Sequence, residues 1–330
     1  MDIVATGFVA DTADLASDYP SAGGDSSDAS FQAIYWRCIT GFLFSARVNA
    51  RECRAMLFSN VAPPVIDGID LSMVFERMGV TIVCLPLTHR LPHAKKWGNV
   101  FYFMDILKAL PGYQSDQGRF ALFDSDVVLA GSITPLMRRI GEAEMVGYRV
   151  DSAVDEDVNG LTMAQAARLA ERLSGTAQPE AIPHLGGELL GFDLIRRAST
   201  LAVFDAMWRD MIAHTNGLDA IRTEEHFWSV AAAAQGWPVV EGNDHMKRLW
   251  TARNFRTVLE ADRTLPIWHL PAEKRYGFVD MFRWMAERDF DTEINAIEFH
   301  SVTERIFGIP NPSLHKRMKD LIRGIRHKIR

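Results

Sequence analysis

The sequence predicts an α/β protein with a doubly wound, mainly parallel sheet. In the first half of the chain, short apolar segments with the length of buried strands alternate with longer segments whose apolar residues recur at helical spacing. Such alternation is typical of β-α-β units. In addition, an apolar run in residues 119–132 (RFALFDSDVVLAGS) ends in two aspartates, Asp124 and Asp126, as expected of a strand that reaches a ligand-binding edge.

Taken in order, the apolar runs predict strands and the helical spacings predict helices. Proline and glycine at positions 111 and 112 are predicted to end one of these helices. Thr223 is a suitable N-cap for another, and the two glutamates after it suit a first helical turn. The predicted strands are 1–10, 54–60, 80–85, 119–123, 143–148 and 184–193, and the predicted helices are 31–47, 69–78, 97–110, 133–140, 161–174, 194–215 and 222–235. Residues 11–30, rich in Asp, Ser, Gly and Ala, bury little surface and are expected to form a mobile loop.

Composition is that of a soluble globular protein. The 330 residues are 48% hydrophobic and 24% charged, enough for one large domain or two smaller ones. The three cysteines are scattered without CxxC spacing, which predicts no disulfide framework and fits a reducing, cytoplasmic compartment. We expect no signal peptide, because the first residues lack a basic region, and no membrane span, because no apolar run is long enough.

Charge is distributed unevenly along the chain. The net charge is −6, but residues 313–330 carry seven Lys or Arg against Asp320, so this tail bears +6 and the rest bears −12. An acidic body argues against nucleic-acid binding. The apolar residues of the tail recur at intervals of three and four, at Leu314, Met318, Ile322, Ile325 and Ile329. This pattern predicts a basic amphipathic helix that lies on an anionic membrane surface, the alternative being an ordinary docked helix.

The two aspartates suit a metal ion. Bare carboxylates are costly inside a covered sheet, so we place Asp124 and Asp126 just past the end of their strand, where they could hold Mg²⁺ or Mn²⁺. Far downstream, residues 265–278 (LPIWHLPAEKRYGF) deliver His269 at the end of an apolar run, and Lys274 follows five residues later. The imidazole could complete the coordination of Mn²⁺, and the lysine could meet a phosphate.

Together these motifs resemble the nucleotide-sugar-dependent glycosyltransferases of the GT-A fold, and most of all family 8, which includes lipopolysaccharide galactosyltransferases and glycogenin. The segment 183–195 (PHLGGELLGFDLI) fits the glycine-rich middle element of that pattern. The resemblance covers residues 1–278 in order. It implies a GT-A (Rossmann-like) fold, a UDP-sugar donor, Mn²⁺ or Mg²⁺ held by Asp124, Asp126 and His269, and Lys274 on the diphosphate.

The resemblance also implies further contacts with the donor. It places the end of the first strand near the uracil and the helix 97–110 beside the nucleotide, where the matching position is open between Asn99, Asp105 and Lys108. The donor-binding residues that we predict are Thr6, Gly7, Asn99, Asp105, Asp124, Ser125, Asp126, Gly186, Gly187 and Lys274.

Two carboxylates are predicted to be catalytic. Glu188 lies in an apolar stretch, where a charge needs a function or a partner, and directly follows two glycines that permit close approach of a ligand. Glu225 lies where the resembled family carries residues that face the sugar or the acceptor; Glu224 and His226 rank lower. For each of them a purely structural role is the alternative.

The domain prediction is a catalytic domain over 1–278, followed by a helical extension over 279–330. Residues 1–135 would form the nucleotide-sugar half and 136–278 the acceptor half, in which the insertion 151–183 would form a lid. The predicted function is transfer of a hexose from a UDP-sugar to a glycan or lipid-linked acceptor, with retention favoured and inversion left open. The alternatives are a sugar-nucleotide nucleotidyltransferase, for which residues 11–30 are too acidic, and a non-catalytic sugar- or lipid-binding scaffold.

Overall fold

The structure, a computed structural model, describes residues 1–17, 25–91, 96–113, 117–252 and 254–329, with side chains described up to position 322. The strands are β1 (Ile3–Phe8), β2 (Arg54–Ser59), β3 (Val65–Ile66), β4 (Ile69–Asp70), β5 (Thr81–Cys84), β6 (Arg119–Phe123), β7 (Val127–Leu129), β8 (Met145–Arg149), β9 (Leu185–Asp193), β10 (Val239–Glu241), β11 (Met246–Arg248), β12 (Thr251–Ala252), β13 (Phe255–Arg256) and β14 (Ile267–His269). The α-helices are α1 (Ala29–Asn49), α2 (Leu71–Arg77), α3 (Tyr102–Ala109), α4 (Thr134–Glu142), α5 (Met163–Ser174), α6 (Arg197–Ile212), α7 (Glu224–Gln235), α8 (Gly277–Ala286), α9 (Ala296–Phe307) and α10 (Leu314–Ile329).

Seven strands form the central sheet in the order β10-β8-β9-β6-β1-β2-β5. The pairs β1–β2, β1–β6, β2–β5 and β8–β10 are parallel, whereas β9 runs antiparallel to both of its neighbours, β6 and β8. Helices cover both faces, which buries the apolar residues of the strands in two clusters. The predicted fold class, a mixed and mainly parallel sheet flanked by helices, is confirmed.

Helix α1 is apolar around most of its circumference because it is covered on two sides. One side packs on the sheet, and the other receives α8 and α9, with Phe44 in ring contact with Trp284 and Phe299. A Cβ atom at Gly41 would lie 3.1 Å from the Phe278 ring and 3.2 Å from the sulfur of Met281, so glycine allows α8 to approach closely. Residues beyond 278 therefore pack on the core, and the predicted division at 278 stays a prediction.

Two predicted helices begin later than expected. In the segment 69–78, α2 starts only after Asp70, whose side chain accepts a hydrogen bond from the backbone N–H of Ser72 at 2.9 Å and so caps the helix. In the segment 97–110, α3 starts at Tyr102, and Trp97 has a φ of 50°, which a right-handed helix excludes. Apolar spacing predicted both helices but not where they begin.

The loop 11–30 is more ordered at its ends than its composition suggests. Asp11 is buried and accepts hydrogen bonds from the hydroxyls of Ser17 at 3.0 Å and Ser26 at 2.7 Å, and it forms an ion pair with Arg90 at 3.2 Å. These contacts join the two ends of the loop, so the expectation of a mobile segment is wrong for them. Positions 18–24 lie outside the described residues.

The predicted C-terminal amphipathic helix is present as α10, but it docks through charged residues. Lys316 is buried and contacts the carboxylates of Glu273 at 3.0 Å and Asp320 at 2.9 Å. The apolar positions of the helix face solvent instead, with exposures of 79% for Leu314 and 65% for Met318. Of the seven basic residues of the tail, the side chains of Arg323, Arg326, Lys328 and Arg330 lie outside the described residues. In the part of the chain that the structure describes, no helix has the length and apolarity needed to cross a membrane.

Candidate active site

The paired aspartates lie where two sheets meet. β6 belongs to the central sheet and ends just before Asp124, whereas β7 begins just after Asp126 in a small sheet of order β11-β14-β7. In that small sheet β14 runs antiparallel to β7, with His269 opposite Val127. The antiparallel register thus brings the histidine, 143 positions further along the chain than Asp126, beside the aspartates.

Asp124, Asp126 and His269 form a three-residue centre that could hold a metal ion. One ligand atom of each lies within 4.8 Å of the others. The Nε2 atom of His269 lies 3.6 Å from a carboxylate oxygen of Asp124 and 3.2 Å from one of Asp126. Asp126 and His269 are buried, whereas the Asp124 side chain is 41% exposed. The predicted ligands are therefore brought together, with one of them open to solvent.

Two polar atoms of this centre fit a metal ion in particular. Oδ1 of Asp126 and both ring nitrogens of His269 are buried and have no hydrogen-bond partner among the described residues, and Oδ1 and Nε2 are the two that face the centre. Buried polar atoms are normally satisfied, and an ion would satisfy both. Two carboxylates and an imidazole are a suitable donor set for Mn²⁺, so the residues present fit the predicted metal.

Lys274 adds a positive charge to the centre. Its ammonium group is buried and forms an ion pair with Oδ2 of Asp126. Burial disfavours the charged lysine, but the carboxylates of Asp126 and Asp124 outweigh it and raise the pKa of Lys274. Burial likewise acts to raise the pKa of Asp126, but Lys274 and His269 outweigh it and lower that pKa. Both groups are therefore charged at neutral pH.

Glu188 lies behind His269. Its carboxylate is buried, forms an ion pair with Arg248 and lies 3.2 Å from Nδ1 of His269. Burial acts to raise the pKa of Glu188, but His269 and Arg248 lower it to about 2. The Glu188 carboxylate and Nδ1 of His269 are close but do not form a hydrogen bond here; a carboxylate beside the far nitrogen is a common neighbour of metal-binding imidazoles. Of the two roles that the sequence left open for Glu188, the geometry gives it structural partners.

A cavity of about 280 Å³ opens beside the centre, at the carboxyl ends of β1 and β6. Aromatic side chains make up much of its wall, and polar groups lie at the end where the aspartates are. Six of the predicted donor-binding residues line it, namely Gly7, Asn99, Asp124, Ser125, Gly187 and Lys274. Thr6, Asp126 and Gly186 are buried behind the wall. The aromatic residues of the wall, which the sequence analysis did not single out as ligand-binding, are Phe8, Phe31, Tyr35, Trp97, Tyr102, Phe103, Phe123 and Trp228.

Asp105, predicted to meet the nucleotide, is engaged by other side chains and does not line the cavity, so its contact with the donor stays a prediction. Its buried carboxylate accepts a hydrogen bond from the backbone N–H of Thr88 at 2.9 Å and lies 2.7 Å from Nδ1 of His89, so it holds the segment after β5. Lys108 contacts His89 as well and forms an ion pair with Asp205 at 2.8 Å. Of the three alternatives on this stretch, only Asn99 lies on the cavity wall.

The two glycines make room for protein groups. A Cβ atom at Gly186 would collide with the carboxylate of Glu188, and one at Gly187 with that of Glu224. At Gly186 the space beside the backbone is taken by a carboxylate of the chain, and its contact with the donor stays a prediction. Gly187 makes room for Glu224 and also lines the cavity, so a ligand could still approach its backbone.

Glu224 faces the cavity, whereas its neighbour Glu225 turns away. Glu224 lines the wall, and its Oε2 atom has no hydrogen-bond partner within the described ranges. Burial, followed by the charge of Glu225, raises the pKa of Glu224 well above 4.5. Glu225 accepts a hydrogen bond from Asn159 and lies 3.4 Å from Nε2 of His184. The resemblance placed Glu225 ahead of Glu224, whereas in the structure it is Glu224 that lines the cavity; the catalytic role of Glu225 stays a prediction.

Comparisons with known proteins return structures but no sequence family. No family model matches the chain, and no curated protein matches it either. The chain is similar to the crystal structure of an active-site variant of LgtC (TM-score 0.47, 12% identity, 87% of this chain and 96% of that one). It is also similar to the galactosyltransferase LgtC with donor and acceptor sugar analogues (TM-score 0.43, 14% identity, 92% and 96%) and to the bifunctional glycosyltransferase WbbM (TM-score 0.49, 10% identity, 81% and 45%).

Proposed function

We propose that the protein is a metal-dependent glycosyltransferase that moves a hexose from a UDP-sugar to an acceptor hydroxyl. The observation that carries this proposal is the convergence of Asp124, Asp126, His269 and Lys274 at one end of an aromatic-lined cavity. A diphosphate needs concentrated positive charge, a nucleoside base needs flat apolar surface, and this cavity offers both in one cleft. The motifs that resemble family 8 glycosyltransferases favour the same assignment and imply retention at the anomeric carbon.

Asp124, Asp126 and His269 would hold Mn²⁺ or Mg²⁺. Such an ion supplies Lewis-acid stabilisation to the departing diphosphate. Lys274 lines the cavity and contributes a fixed positive charge where negative charge develops on the leaving group. Glu188 positions His269 from behind, held in turn by Arg248. We therefore assign Glu188 a positioning role rather than contact with the sugar.

Glu224 is the carboxyl group that would meet the transferred sugar. It lines the cavity together with Asp124, Ser125 and Gly187. Its raised pKa favours the protonated carboxyl group, which could donate a hydrogen bond to a sugar hydroxyl, and a bound cation would make the group more acidic. Glu224 could thus orient the donor and stabilise positive charge at the anomeric carbon.

Glu224→Gln is expected to slow donor hydrolysis and to stabilise the metal-free protein. The carboxyl pKa is raised on folding, so above pH 4.5 the folded protein must keep a proton that the unfolded chain releases, which costs stability. Glutamine removes this cost, so the variant should unfold at higher urea concentration at pH 7, and the difference should vanish as pH falls below 4.5. A fall in kcat of roughly 10²-fold should accompany it. Equal stability of both proteins at pH 7 would contradict the assignment.

A donor screen tests the proposed function. Purified protein with Mn²⁺ would be incubated with a panel of nucleotide sugars, and release of free nucleotide would be followed without acceptor. Slow hydrolysis of one UDP-sugar, abolished by EDTA, is the expected result and would identify the donor. UDP binding that calorimetry finds equally strong with and without Mn²⁺ would contradict the assignment of the three ligands.

We further propose that α10 places the enzyme on an anionic membrane surface. Leu314, Met318 and Ile322 lie on one stripe of the helix and are 79%, 65% and 47% exposed. Because Lys316 and Lys319 provide the contacts with the body of the protein, this apolar stripe stays unburied between basic neighbours. A basic helix with an exposed apolar stripe is suited to an anionic bilayer, and a lipid-linked acceptor would be found there.

The triple variant Leu314→Ser, Met318→Ser and Ile322→Ser is expected to lose binding to anionic vesicles by at least about tenfold, because each buried apolar side chain contributes about 1.5–3 kcal/mol. It keeps Lys316, so the contact with Glu273 and the fold should be preserved. Cosedimentation with phosphatidylserine vesicles measures the effect, and neutral vesicles are the control. Unchanged sedimentation of the triple variant would show that the stripe does not bind the membrane.

A further inference from the structure

A second cluster of metal-binding side chains lies outside the site described above. It consists of His184, just before β9, and Glu225 and His226, in the first turn of α7. All three are buried, with exposures of 2%, 7% and 0%, and one ligand atom of each lies within 4.8 Å of the others. Two imidazoles and a carboxylate form a donor set that proteins use for zinc.

The two histidines each have one ring nitrogen engaged and one free. The hydroxyl of Ser152 lies 3.3 Å from Nδ1 of His184, and that of Thr223 lies 3.0 Å from Nδ1 of His226. The Nε2 atoms of both histidines are buried, and neither has a hydrogen-bond partner in the part of the chain that the structure describes. A hydroxyl that holds the far nitrogen leaves the near one as a lone-pair donor, which is how metal-binding histidines are oriented.

The two carboxylate oxygens of Glu225 also have different contacts. Its Oε1 atom accepts a hydrogen bond from the side-chain amide of Asn159, whereas Oε2 lies 3.4 Å from Nε2 of His184. Ligands about 2.0–2.1 Å from a tetrahedral zinc ion lie about 3.4 Å from each other, so the observed separation fits two ligands of one ion. Buried Nε2 atoms without partners are costly in an ordinary core, and an ion at this point would satisfy them.

We propose that His184, Glu225 and His226 form a zinc site, separate from the centre at Asp124, Asp126 and His269. The nitrogen-rich set favours zinc, whereas the oxygen-rich centre favours manganese or magnesium. Zinc here would tie the start of β9 to the first turn of α7, and the contacts of Ser152 and Asn159 extend the link to the loop before α5. Three protein ligands leave the fourth position of a tetrahedral ion to a water molecule. We assign the ion a structural role because it would fix the helix end that carries Glu224.

Zinc stoichiometry in the full-length chain tests the site. The first centre is disabled by Asp124→Asn, and the protein is stripped with EDTA, equilibrated with Zn²⁺ alone, desalted and analysed by atomic emission. We expect one zinc per chain. Less than a tenth of that in protein whose circular dichroism shows it to be folded would overturn the proposal. Zinc binding does not require turnover, so a silent donor screen would leave this result intact.

Variants at the cluster locate the ion. Added to the Asp124→Asn background, His184→Gln should weaken zinc binding by roughly 10²-fold, whereas Ser152→Ala, which removes only the group that orients the ring, should weaken it about tenfold. His214→Gln, at an exposed histidine, is the matched control and should retain one zinc per chain. If His184→Gln fails to fold, the zinc affinity of Ser152→Ala tests the site by itself. Unchanged zinc affinity in Ser152→Ala and in a folded His184→Gln would place the ion elsewhere.

Discussion

Asp124→Asn is expected to slow donor hydrolysis by roughly 10³-fold and to abolish the dependence of UDP binding on Mn²⁺. Asp124 is the solvent-exposed member of the proposed metal centre. Among the described residues its carboxylate accepts hydrogen bonds from its neighbour Ser125, from the backbone N–H at 2.7 Å and from the hydroxyl at 3.5 Å. Asparagine has the same shape and keeps an oxygen for that contact. The change therefore removes a metal ligand and one of the two carboxylates beside Lys274, and the free energy of unfolding should fall by at most about 1 kcal/mol because Asp124 is partly exposed.

We choose Asp124 rather than Asp126 so that a loss of activity can be attributed to the loss of a metal ligand and not to unfolding. Asp126→Asn would also leave the buried ammonium group of Lys274 without its partner, so lost activity could reflect lost folding. Glu298→Gln, at an exposed carboxylate in the first turn of α9, is the matched control and should hydrolyse the donor at the wild-type rate. If UDP binding by Asp124→Asn depended on Mn²⁺ as strongly as in the wild type, Asp124 would not be a metal ligand.

The sequence predicted the central elements of this site because their signals are local. An apolar run ending in two aspartates, and another ending in His269, identify strand ends whatever the tertiary structure does. What the sequence could not contain is the register that brings them together. β7 and β14 pair antiparallel in a small sheet of their own, so His269 reaches the aspartates from an element outside the central sheet. The resemblance to a known pattern supplied this proximity; spacing alone did not.

The contacts that the sequence did not show have a common physical origin in side-chain partners that are distant in sequence. Asp105 is spaced to face the nucleotide, but it is satisfied by Thr88 and His89, which no local pattern connects to it. The glycines at 186 and 187 indicate close approach, and the approaching groups prove to be carboxylates of the chain itself, Glu188 and Glu224. Arg248, which pairs with Glu188, had no sequence signal at all.

The aromatic wall was missed for a related reason. Phe31, Tyr35 and Trp97 come from α1 and from turns before α3, and each is indistinguishable in sequence from a core residue. They line the cavity at the carboxyl edge of the sheet, where ligands bind in α/β proteins. Apolar residues that recur at helical spacing are predicted to be buried. The spacing does not predict whether another side chain or a ligand covers them.

Lys274→Met is expected to lower the free energy of unfolding by roughly 3–5 kcal/mol, because it leaves the buried carboxylate of Asp126 without its cation. Methionine fills similar volume, so the effect should come from charge rather than from a void. Urea denaturation measures it as a lower midpoint at unchanged slope. Lys319→Met is the matched control, since the ion pair of Lys319 with Asp280 is partly exposed and contributes at most about 1 kcal/mol.

Added manganese should then show whether the stability of Lys274→Met is lost because a positive charge is missing or because the packing is disturbed. A divalent cation that binds the folded protein at Asp124, Asp126 and His269 stabilises it by mass action, and in Lys274→Met it would also supply the positive charge that Asp126 has lost. The variant should therefore regain more stability from saturating Mn²⁺ than the wild type does, and Asp124→Asn should cancel the gain. Donor hydrolysis should stay low even when stability returns, because the charge facing the diphosphate is still missing. A Lys274 variant as stable as the wild type without metal would mean that the buried pair does not hold the site together.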